Sequence, residues 1–314
     1  MYLDQDFVGE LLAKTSTAFA TPPVPTATAS VTPLPTIVPT LPDVTYEHVH
    51  ATGSRTLWVV VVLMALSSLA FYAMAFRVPV QKRLFHVLTA FITTFAFLSY
   101  FAMATGDGVG QQTTVIKSHL DQTGQTIVEE IVHRQVFWAR YIDWSITTPL
   151  LLLDLSLLAG LNGASILIAI VADLIMVLTG LFAAFGGHGG QKWGWYAIAC
   201  IAYLVVVYQL AQNGRRTVAT KDSKTKAFYS AIGAFTLILW TIYPIIWGVA
   251  DGARILSVDS EIIAYAVLDV LAKPVFGFWL LTTHDRNTSS SPSIEGFWAN
   301  GASNEGTLRV GDDD

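Results

Sequence analysis

Residues 135–158 read QVFWARYIDWSITTPLLLLDLSLL, an apolar span long enough to cross a hydrocarbon core of about 30 Å as a helix. Ionisable residues are costly at membrane depth, yet this span contains Arg140, Asp143 and Asp154. Asp154 follows Asp143 by eleven residues, which places both on nearly the same helix face, about 16 Å apart along the axis. The pattern predicts a membrane helix with two acids at different depths.

The sequence contains seven apolar spans of this length. They cover residues 55–76, 84–104, 135–158, 164–185, 193–212, 228–250 and 261–282. Hydrophobic residues make up 53% of the 314 residues and charged residues only 13%, against about 25% in soluble domains. We therefore expect an all-α membrane protein, a bundle of seven transmembrane helices in a lipid bilayer.

Charge and cysteine content exclude several classes of function. The net charge is −5, and the Lys and Arg residues are scattered through short loops, so we expect no nucleic-acid partner. Cys200 is the one cysteine in the sequence, which rules out an intramolecular disulfide and a cysteine-based metal cluster. No metal site is predicted.

The regions outside the apolar spans have distinct compositions. Residues 1–50 include a Thr- and Pro-rich stretch and are predicted to form a disordered extension, followed by a helical domain over residues 51–284. Residues 285–314 are predicted to form a disordered tail. Between the second and third spans, TTVIKS (113–118) and TIVEEIV (126–132) flank a polar stretch with Gly124, which predicts a short outward β-hairpin.

The distribution of basic residues predicts the orientation in the membrane. The loops 77–83 and 213–227 contain eight Lys and Arg residues, whereas 105–134, 186–192 and 251–260 contain four. Cytoplasmic loops carry the excess of basic residues, so we expect the N-terminus outside and the C-terminus in the cytoplasm. The expected location is the plasma membrane.

The seventh span, AYAVLDVLAKPVFGFWLL (264–281), places Asp269 and Lys273 on one helix face at an i, i+4 spacing. A lysine at this depth is either part of a structural salt bridge with Asp269 and Asp143 or an amine that holds a carbonyl cofactor as a Schiff base. Near a cation Asp143 is expected to stay ionised, while the leucines before Asp154 favour its neutral form.

Aromatic residues recur on one face of the sixth span, LWTIYPIIW (239–247), at Trp240, Tyr243 and Trp247, with Pro244 on the same face. Such a stripe is either ordinary packing or the wall of a pocket for a slender apolar cofactor. Trp144 and Trp195 would complete that pocket. Pro244 removes a backbone hydrogen bond and predicts a kink.

Over roughly residues 50–284 the sequence resembles the microbial (type 1) rhodopsins, most closely the fungal relatives of bacteriorhodopsin. The resemblance rests on ARYIDWSITTPLLLLDL (139–155), WTIYPIIW (240–247) and LDVLAKPVFGFWLL (268–281). It implies seven helices around all-trans-retinal, which is bound to Lys273. It also implies that Asp143 is the primary proton acceptor, Asp269 the second counterion and Asp154 the cytoplasmic proton donor.

The resemblance assigns further residues to two groups. The polar group contains Arg140 beneath the acids, Thr147 bonded to the acceptor, Thr89 as partner of the donor, Tyr100 and Tyr243 near the second counterion, and Asp251 and Glu261 as the proton-release pair. The retinal walls are Trp144, Met176, Gly180, Trp195, Trp240, Pro244 and Trp247, with Thr148 and Asp173 joining two helices nearby. The release pair departs from the two glutamates of the family's best-known pump, and Tyr196 and Ala199 replace a tryptophan and a serine.

These residues predict a light-driven outward proton pump without a separate catalytic domain, with protons as the transported ion. The main alternative is a slow photosensor that signals through a cytoplasmic partner. A receptor or transporter of unrelated type is a second alternative, for which the sequence has no broken-helix repeat or substrate motif. Self-association into a homo-oligomer stays open.

Overall fold

The computed structural model describes residues 42–120, 126–187 and 189–286. Seven helices in this part of the chain are long and apolar enough to cross a membrane, which confirms the predicted bundle. They are α1 (Ala51–Arg77), α2 (Leu84–Thr105), α3 (Ala139–Ala159), α4 (Gly163–Ala184), α5 (Gly189–Val218), α6 (Ser223–Gly252) and α7 (Val258–His284). Of the extension and tail predicted to be disordered, residues 1–41 and 287–314 lie outside the described residues, as does Gly124 of the hairpin. The tail was predicted to begin at residue 285, but residues 285 and 286 still belong to the last helix.

Capping side chains and glycines set the ends of several helices. The side chains of Asn162, Asp222 and Ser257 accept backbone N–H groups in the first turns of α4, α6 and α7. Gly106 and Gly160 follow α2 and α3 with φ of +89° and +77°, a conformation that favours glycine. Apart from α2 and α3, which the two paired strands separate, consecutive helices are joined by short connections and run antiparallel.

The predicted loop 213–227 is much shorter in the structure. Arg215 and Arg216 belong to the last turn of α5, and Lys224 and Lys226 lie in the first turn of α6, because Asp222 caps that helix directly after the turn. Lys and Arg are good helix formers, so they extend the helices beyond the apolar spans. The third span also begins later than predicted, at Ala139, since the residues before it form a strand.

Three helices contain wide, π-helical turns. These turns cover Tyr208–Gly214 in α5, Gly248–Gly252 in α6 and Leu271–Val275 in α7. Helix α6 continues through Pro244 and widens only after Trp247. A wide turn inserts a residue into the helical repeat and frequently occurs at functional sites, and the one in α7 contains Lys273.

A three-stranded sheet lies between α2 and α3 in the chain. Strands β2 (Gly110–Leu120) and β3 (Thr126–Val136) pair in an antiparallel manner, which confirms the predicted hairpin. The strand β1 (Asp43–Glu47) pairs in parallel with β3, so the order is β1-β3-β2. The extension was predicted to be disordered up to residue 50, but Asp43–Glu47 are ordered as β1. The backbone of β1 is hydrogen-bonded to β3, and Tyr46 stacks on His133.

Polar side chains attach the sheet to the connections between helices. Gln112 of β2 is buried, and its Nε2 donates to the carbonyl of Gly186 between α4 and α5 at 2.8 Å. Arg254, between α6 and α7, donates to Gln112 Oε1 and Thr114 Oγ1. The sheet thus closes one end of the bundle, and we refer to this as the sheet end.

The outer surface of the bundle is apolar. Large side chains such as Leu69, Phe76, Ile201 and Leu204 are more than 60% exposed. In water such a surface would promote aggregation, whereas in a bilayer it contacts lipid. Polar and charged side chains are instead buried between the helices, where they form the site described next.

Candidate functional site

Lys273 lies at the centre of the bundle between two carboxylates. Its Nζ donates to Asp143 Oδ2 of α3 at 2.5 Å and to Asp269 Oδ1 of α7 at 3.0 Å. All three residues are at most 3% exposed. The structure therefore brings Asp143 of α3 into contact with Lys273 of α7, beside Asp269 of the same helix.

The two carboxylates differ in their hydrogen bonding. Asp269 accepts from Tyr100 Oη at 2.6 Å and from Tyr243 Oη at 2.7 Å, as expected from the sequence. Asp143 Oδ1 has no hydrogen-bond partner within the described part of the chain. Asp269 is thus a fixed, fully bonded anion, while Asp143 keeps an open position on its carboxylate.

The side chain of Thr147 lies within reach of the carboxylate of Asp143, as expected, and also bonds the main chain of that residue. Its hydroxyl donates at 2.9 Å to the main-chain carbonyl of Asp143, one turn earlier in α3. A threonine inside a helix commonly forms this bond, because its Oγ1 reaches the carbonyl four residues before it. Thr148 makes the same bond to Trp144 and also donates to Asp173 Oδ2 of α4 at 2.7 Å, which joins α3 to α4 as predicted.

A cavity with mostly apolar walls opens beside Lys273. The empty space within it, counted together with its open part, is about 830 Å³. Of the predicted wall residues, Trp144, Thr148, Met176, Gly180, Trp240, Pro244 and Trp247 line it. Residues of α5 and α7 that the sequence did not assign to the walls also line it, namely Tyr196, Ala199, Cys200, Tyr203, Tyr265 and Ala272.

Trp195 does not line this cavity. Its ring lies 5.3 Å from that of Phe182, between α4 and α5. The residues of α5 that line the cavity are 196, 199, 200 and 203, and this helical spacing leaves residue 195 about 100° away from their common face. Tyr196 takes the expected place and stacks on Trp247, with ring centroids 4.8 Å apart.

Arg140 pairs with an acid of α7 and not with Asp143, three residues away in its own helix. Its Nη1 donates to Glu261 Oε1 at 2.8 Å, and no ion pair with Asp143 is found among the described residues. The guanidinium also lies over the ring of Tyr265, 4.1 Å from its centroid. The cation next to Asp143 is therefore Lys273, and Arg140 belongs to a separate cluster at the sheet end.

Arg134 is the member of this cluster that sequence reasoning missed. It is 2% exposed and contacts Glu47 Oε2 at 2.7 Å, Glu261 Oε2 at 2.8 Å and Asp251 Oδ1 at 3.6 Å. Burial alone would lower the pKa of this guanidinium, but the carboxylates of Glu261 and Asp251 raise it above its usual value. The available signal was strand alternation, since Val132, Arg134 and Val136 all point inward.

Lys192 was also assigned to a loop by the sequence. It lies in the first turn of α5, is 7% exposed, and its Nζ donates to the main-chain carbonyl of Asp251 at 2.8 Å. Asp251 and Glu261 are both buried beside Arg134, so the structure does bring the predicted release pair into one cluster.

Asp154 lies toward the opposite end of α3, in an apolar environment. It is fully buried, and neither carboxylate oxygen has a hydrogen-bond partner in the described ranges. Thr89 Oγ1 also lacks a partner there, so the expected bond between Thr89 and Asp154 is not formed. The leucines of α3 that surround it, Leu151, Leu152, Leu155 and Leu158, belong to the main hydrophobic core.

Residues 52–287 match the model of the bacteriorhodopsin-like protein family. The chain belongs to this family. It is 51% identical over 284 residues to Opsin-1 of Neurospora crassa, covering 90% of this chain and 92% of that protein. It is also 36% identical to a bacteriorhodopsin of Haloterrigena, covering 72% of this chain and 85% of the relative.

Solved structures show the same likeness. The crystal structure of a light-driven proton pump from Leptosphaeria maculans superposes with a TM-score of 0.74 and 61% identity, covering 78% of this chain and 99% of that one. Rhodopsin from Coccomyxa subellipsoidea, also described as a light-driven proton pump, has a TM-score of 0.69 and 34% identity, with 76% and 100% coverage.

Membership of a rhodopsin family implies a retinal chromophore, and the residues present fit one. Lys273 offers a primary amine at the wall of a cavity that is lined mostly by aromatic and aliphatic side chains. Two carboxylates stand within 3.0 Å of that amine and would balance a positive charge on its nitrogen. An apolar polyene with one reactive carbonyl matches this combination.

Proposed function

We propose that the protein is a light-driven pump that moves protons outward across a membrane. The observation that carries the proposal is the pair of acids on one face of α3, one touching Lys273 and the other about 16 Å further along the axis without polar contacts. Two acids with different resting states on either side of one nitrogen give a proton a direction of travel.

The cofactor that we propose is all-trans-retinal, held by Lys273. When bound, it absorbs light and changes the geometry and proton affinity of the lysine nitrogen. The other residues of the site then determine where the proton goes. Asp143 is the acceptor, because it touches the nitrogen and has one oxygen free of other bonds. Asp269 is held ionised by two tyrosine hydroxyls and keeps the site polar while Asp143 is neutral.

The proton would be released to the outside at the sheet end of the bundle. Neutralising Asp143 removes a negative charge from the middle of the bundle, which weakens the attraction on the nearby guanidinium of Arg140. Arg140, which is already bonded to Glu261, is then free to move closer to Asp251, and added positive charge there favours loss of a proton from the pair. We assign the exit of the proton to this cluster.

Asp154 is the proposed donor that refills the nitrogen from the other side. An acid without hydrogen bonds among leucines is best held neutral, so it has a proton to give. After donation its charge would be unfavourable in this environment, so Asp154 takes a new proton once water reaches it. The wide turn at Tyr208–Gly214 in α5 lies at this end of the bundle and is where we expect that helix to move.

The direction of transport depends on orientation. The excess of basic residues in the predicted inward loops supports an outside N-terminus, with the sheet end outside and Asp154 toward the cytoplasm. We also propose that the helical domain of residues 51–284 is the functional unit. Under this arrangement protons leave the cell at the sheet end.

The deciding experiment illuminates cells that contain the retinal-loaded protein and records the external pH. We expect the medium to acidify in light, to recover in the dark, and to show no lasting change with a protonophore. An unchanged pH, together with a normal visible band and a photocycle lasting seconds, would favour the slow photosensor instead. Alkalinisation of the medium would mean that protons move inward and that the protein lies in the membrane in the opposite orientation.

A further inference from the structure

Glu47 of β1 is the outermost member of a chain of charged side chains. Its carboxylate is bonded to Arg134 Nη1 at 2.7 Å, Arg134 Nη2 is bonded to Glu261 at 2.8 Å, and Glu261 is bonded to Arg140 at 2.8 Å. The Glu47 side chain is 30% exposed, whereas the other three are at most 2% exposed. Alternating charges thus lead from the protein surface to the proposed release pair.

The guanidinium of Arg134 has five N–H donors and makes three hydrogen bonds to described residues, so two of its donors are left over, one of them on Nε. Nη1 also reaches the carbonyl of Leu256 at 3.2 Å, but Nε has no hydrogen-bond acceptor among the residues described. Nε lies 3.6 Å from Asp251 Oδ1, too far for a good hydrogen bond. A buried donor without an acceptor is costly, so a small rotation toward Asp251 becomes favourable once Glu47 loosens its hold.

We propose that Glu47 positions Arg134 away from Asp251 and thereby sets when the Asp251–Glu261 pair releases its proton. The inference rests on the proposed outward pumping and concerns a residue of the N-terminal strand, outside the helical domain. With Glu47 ionised, Arg134 is shared between two glutamates, and Asp251 lacks a close cationic hydrogen bond to its carboxylate. The Asp251–Glu261 pair can then hold a proton in the dark, before illumination.

Other charged groups face the same pair from every packed element. Arg140 approaches from α3, Lys192 of α5 binds the main-chain carbonyl of Asp251, and Arg254 is held by Gln112 and Thr114 of β2. Tyr141 and Tyr265 are buried next to them. None of these groups forms an ion pair with Glu47 within the described structure, although its charge also acts at longer range on Lys192 and Arg254. The hydrogen-bonded route from Glu47 to the pair runs through Arg134.

The test measures the order of proton release and uptake after a flash. A pair that holds a proton at rest releases it before uptake, whereas above a crossover pH the pair is empty and release follows uptake. The crossover pH is measured on retinal-loaded protein in lipid vesicles, with a pH-indicating dye in the external solution. The variants are Glu47→Gln, Glu47→Asp and the control Asp43→Asn, which removes the same charge from an exposed position of β1.

We expect Glu47→Gln to lower the crossover by roughly one pH unit, the order expected for one gained charge-assisted hydrogen bond to Asp251. Glu47→Asp should lie between Glu47→Gln and wild type, and Asp43→Asn should match wild type. All variants should keep the visible band, which shows that they fold.

Two outcomes would overturn the inference alone. Pumping could be intact while Glu47→Gln has the wild-type crossover, or Asp43→Asn could shift it as much as Glu47→Gln, which would indicate a general effect of surface charge. A wild-type protein that moves no protons outward would overturn the proposed function as well, so the two failures are distinguishable.

Discussion

At the scale of single residues, Lys273 is the anchor of the site. The Lys273→Ala variant should show no visible absorption band when retinal is added, because the amine between Asp143 and Asp269 is lost. Lys192→Met is the matched control, since Lys192 is another buried lysine but lies in the cluster at the sheet end. A visible pigment that persists in Lys273→Ala would contradict the assignment.

Asp143 should control the colour of the pigment. Its ionised form stabilises positive charge on the nitrogen of Lys273 in the dark, so lowering the pH protonates Asp143, removes that stabilisation and shifts the band to the red. Asp143→Asn should be red-shifted at neutral pH and should not pump. Asp173→Asn, another buried aspartate, should keep its colour within a few nanometres and serves as the control. Normal colour and transport in Asp143→Asn would refute its role.

Asp154 separates a pump from a sensor. Asp154→Asn should keep the colour and the first proton transfer, because Asp154 makes no hydrogen bond to the central site in the described structure. Return of the proton should become at least tenfold slower and strongly pH-dependent, since bulk water must then supply it. Flash spectroscopy measures this decay, and added azide should restore much of the rate. Equal decay in wild type and variant would make Asp154 a structural acid only.

At the scale of elements, α5 and α6 are in very close contact near the wide turn of α5. A Cβ on Gly214 would overlap Tyr229 Oη and lie 2.7 Å from Tyr229 Cζ, and that hydroxyl is already bonded to the carbonyl of Leu210. Gly214→Ala should therefore destabilise the protein by about 1–3 kcal/mol through overpacking. The measurement is the rate at which the visible band is lost at a fixed elevated temperature.

The control for this prediction lies in the same helix. Gly194 has no neighbouring atom within 4 Å of a Cβ, so Gly194→Ala should be neutral or slightly stabilising, as expected for alanine in a helix. Adding Tyr229→Phe to Gly214→Ala should recover part of the loss by removing the closest atom. If both single variants lose the band equally fast, the close contact is not limiting.

Hydrophobicity and helical spacing predicted the helices and most of the site, and the reasons for the failures are physical. Spacing alone placed Asp269 one turn from Lys273, and the structure agrees. The prediction that Trp195 lines the cavity was wrong because adjacent residues of a helix point about 100° apart, and it is the next residue, Tyr196, that faces the cavity. Arg134 was missed because Glu47 lies 87 residues away in the chain, and composition alone does not show which distant strands will pair.

At the scale of the whole molecule, β1 should contribute to stability although it lies before the helical domain. A chain that starts at residue 42 keeps every contact described here and serves as the reference for colour and heat resistance. A chain that starts at residue 48 lacks β1 and with it Glu47, one of the acids that bind Arg134. It should therefore lose its visible band faster on heating. Equal heat resistance of the two truncated chains would mean that β1 adds no stability.

Cys200 gives the molecule a built-in chemical handle. It is the one cysteine in the sequence, and the structure places it in the wall of the cavity beside Lys273. A small thiol-specific label would therefore attach at a single point of the cavity wall without any engineered substitution. A spin or fluorine label there would report on movement within the pocket during illumination, and every signal would come from one known position.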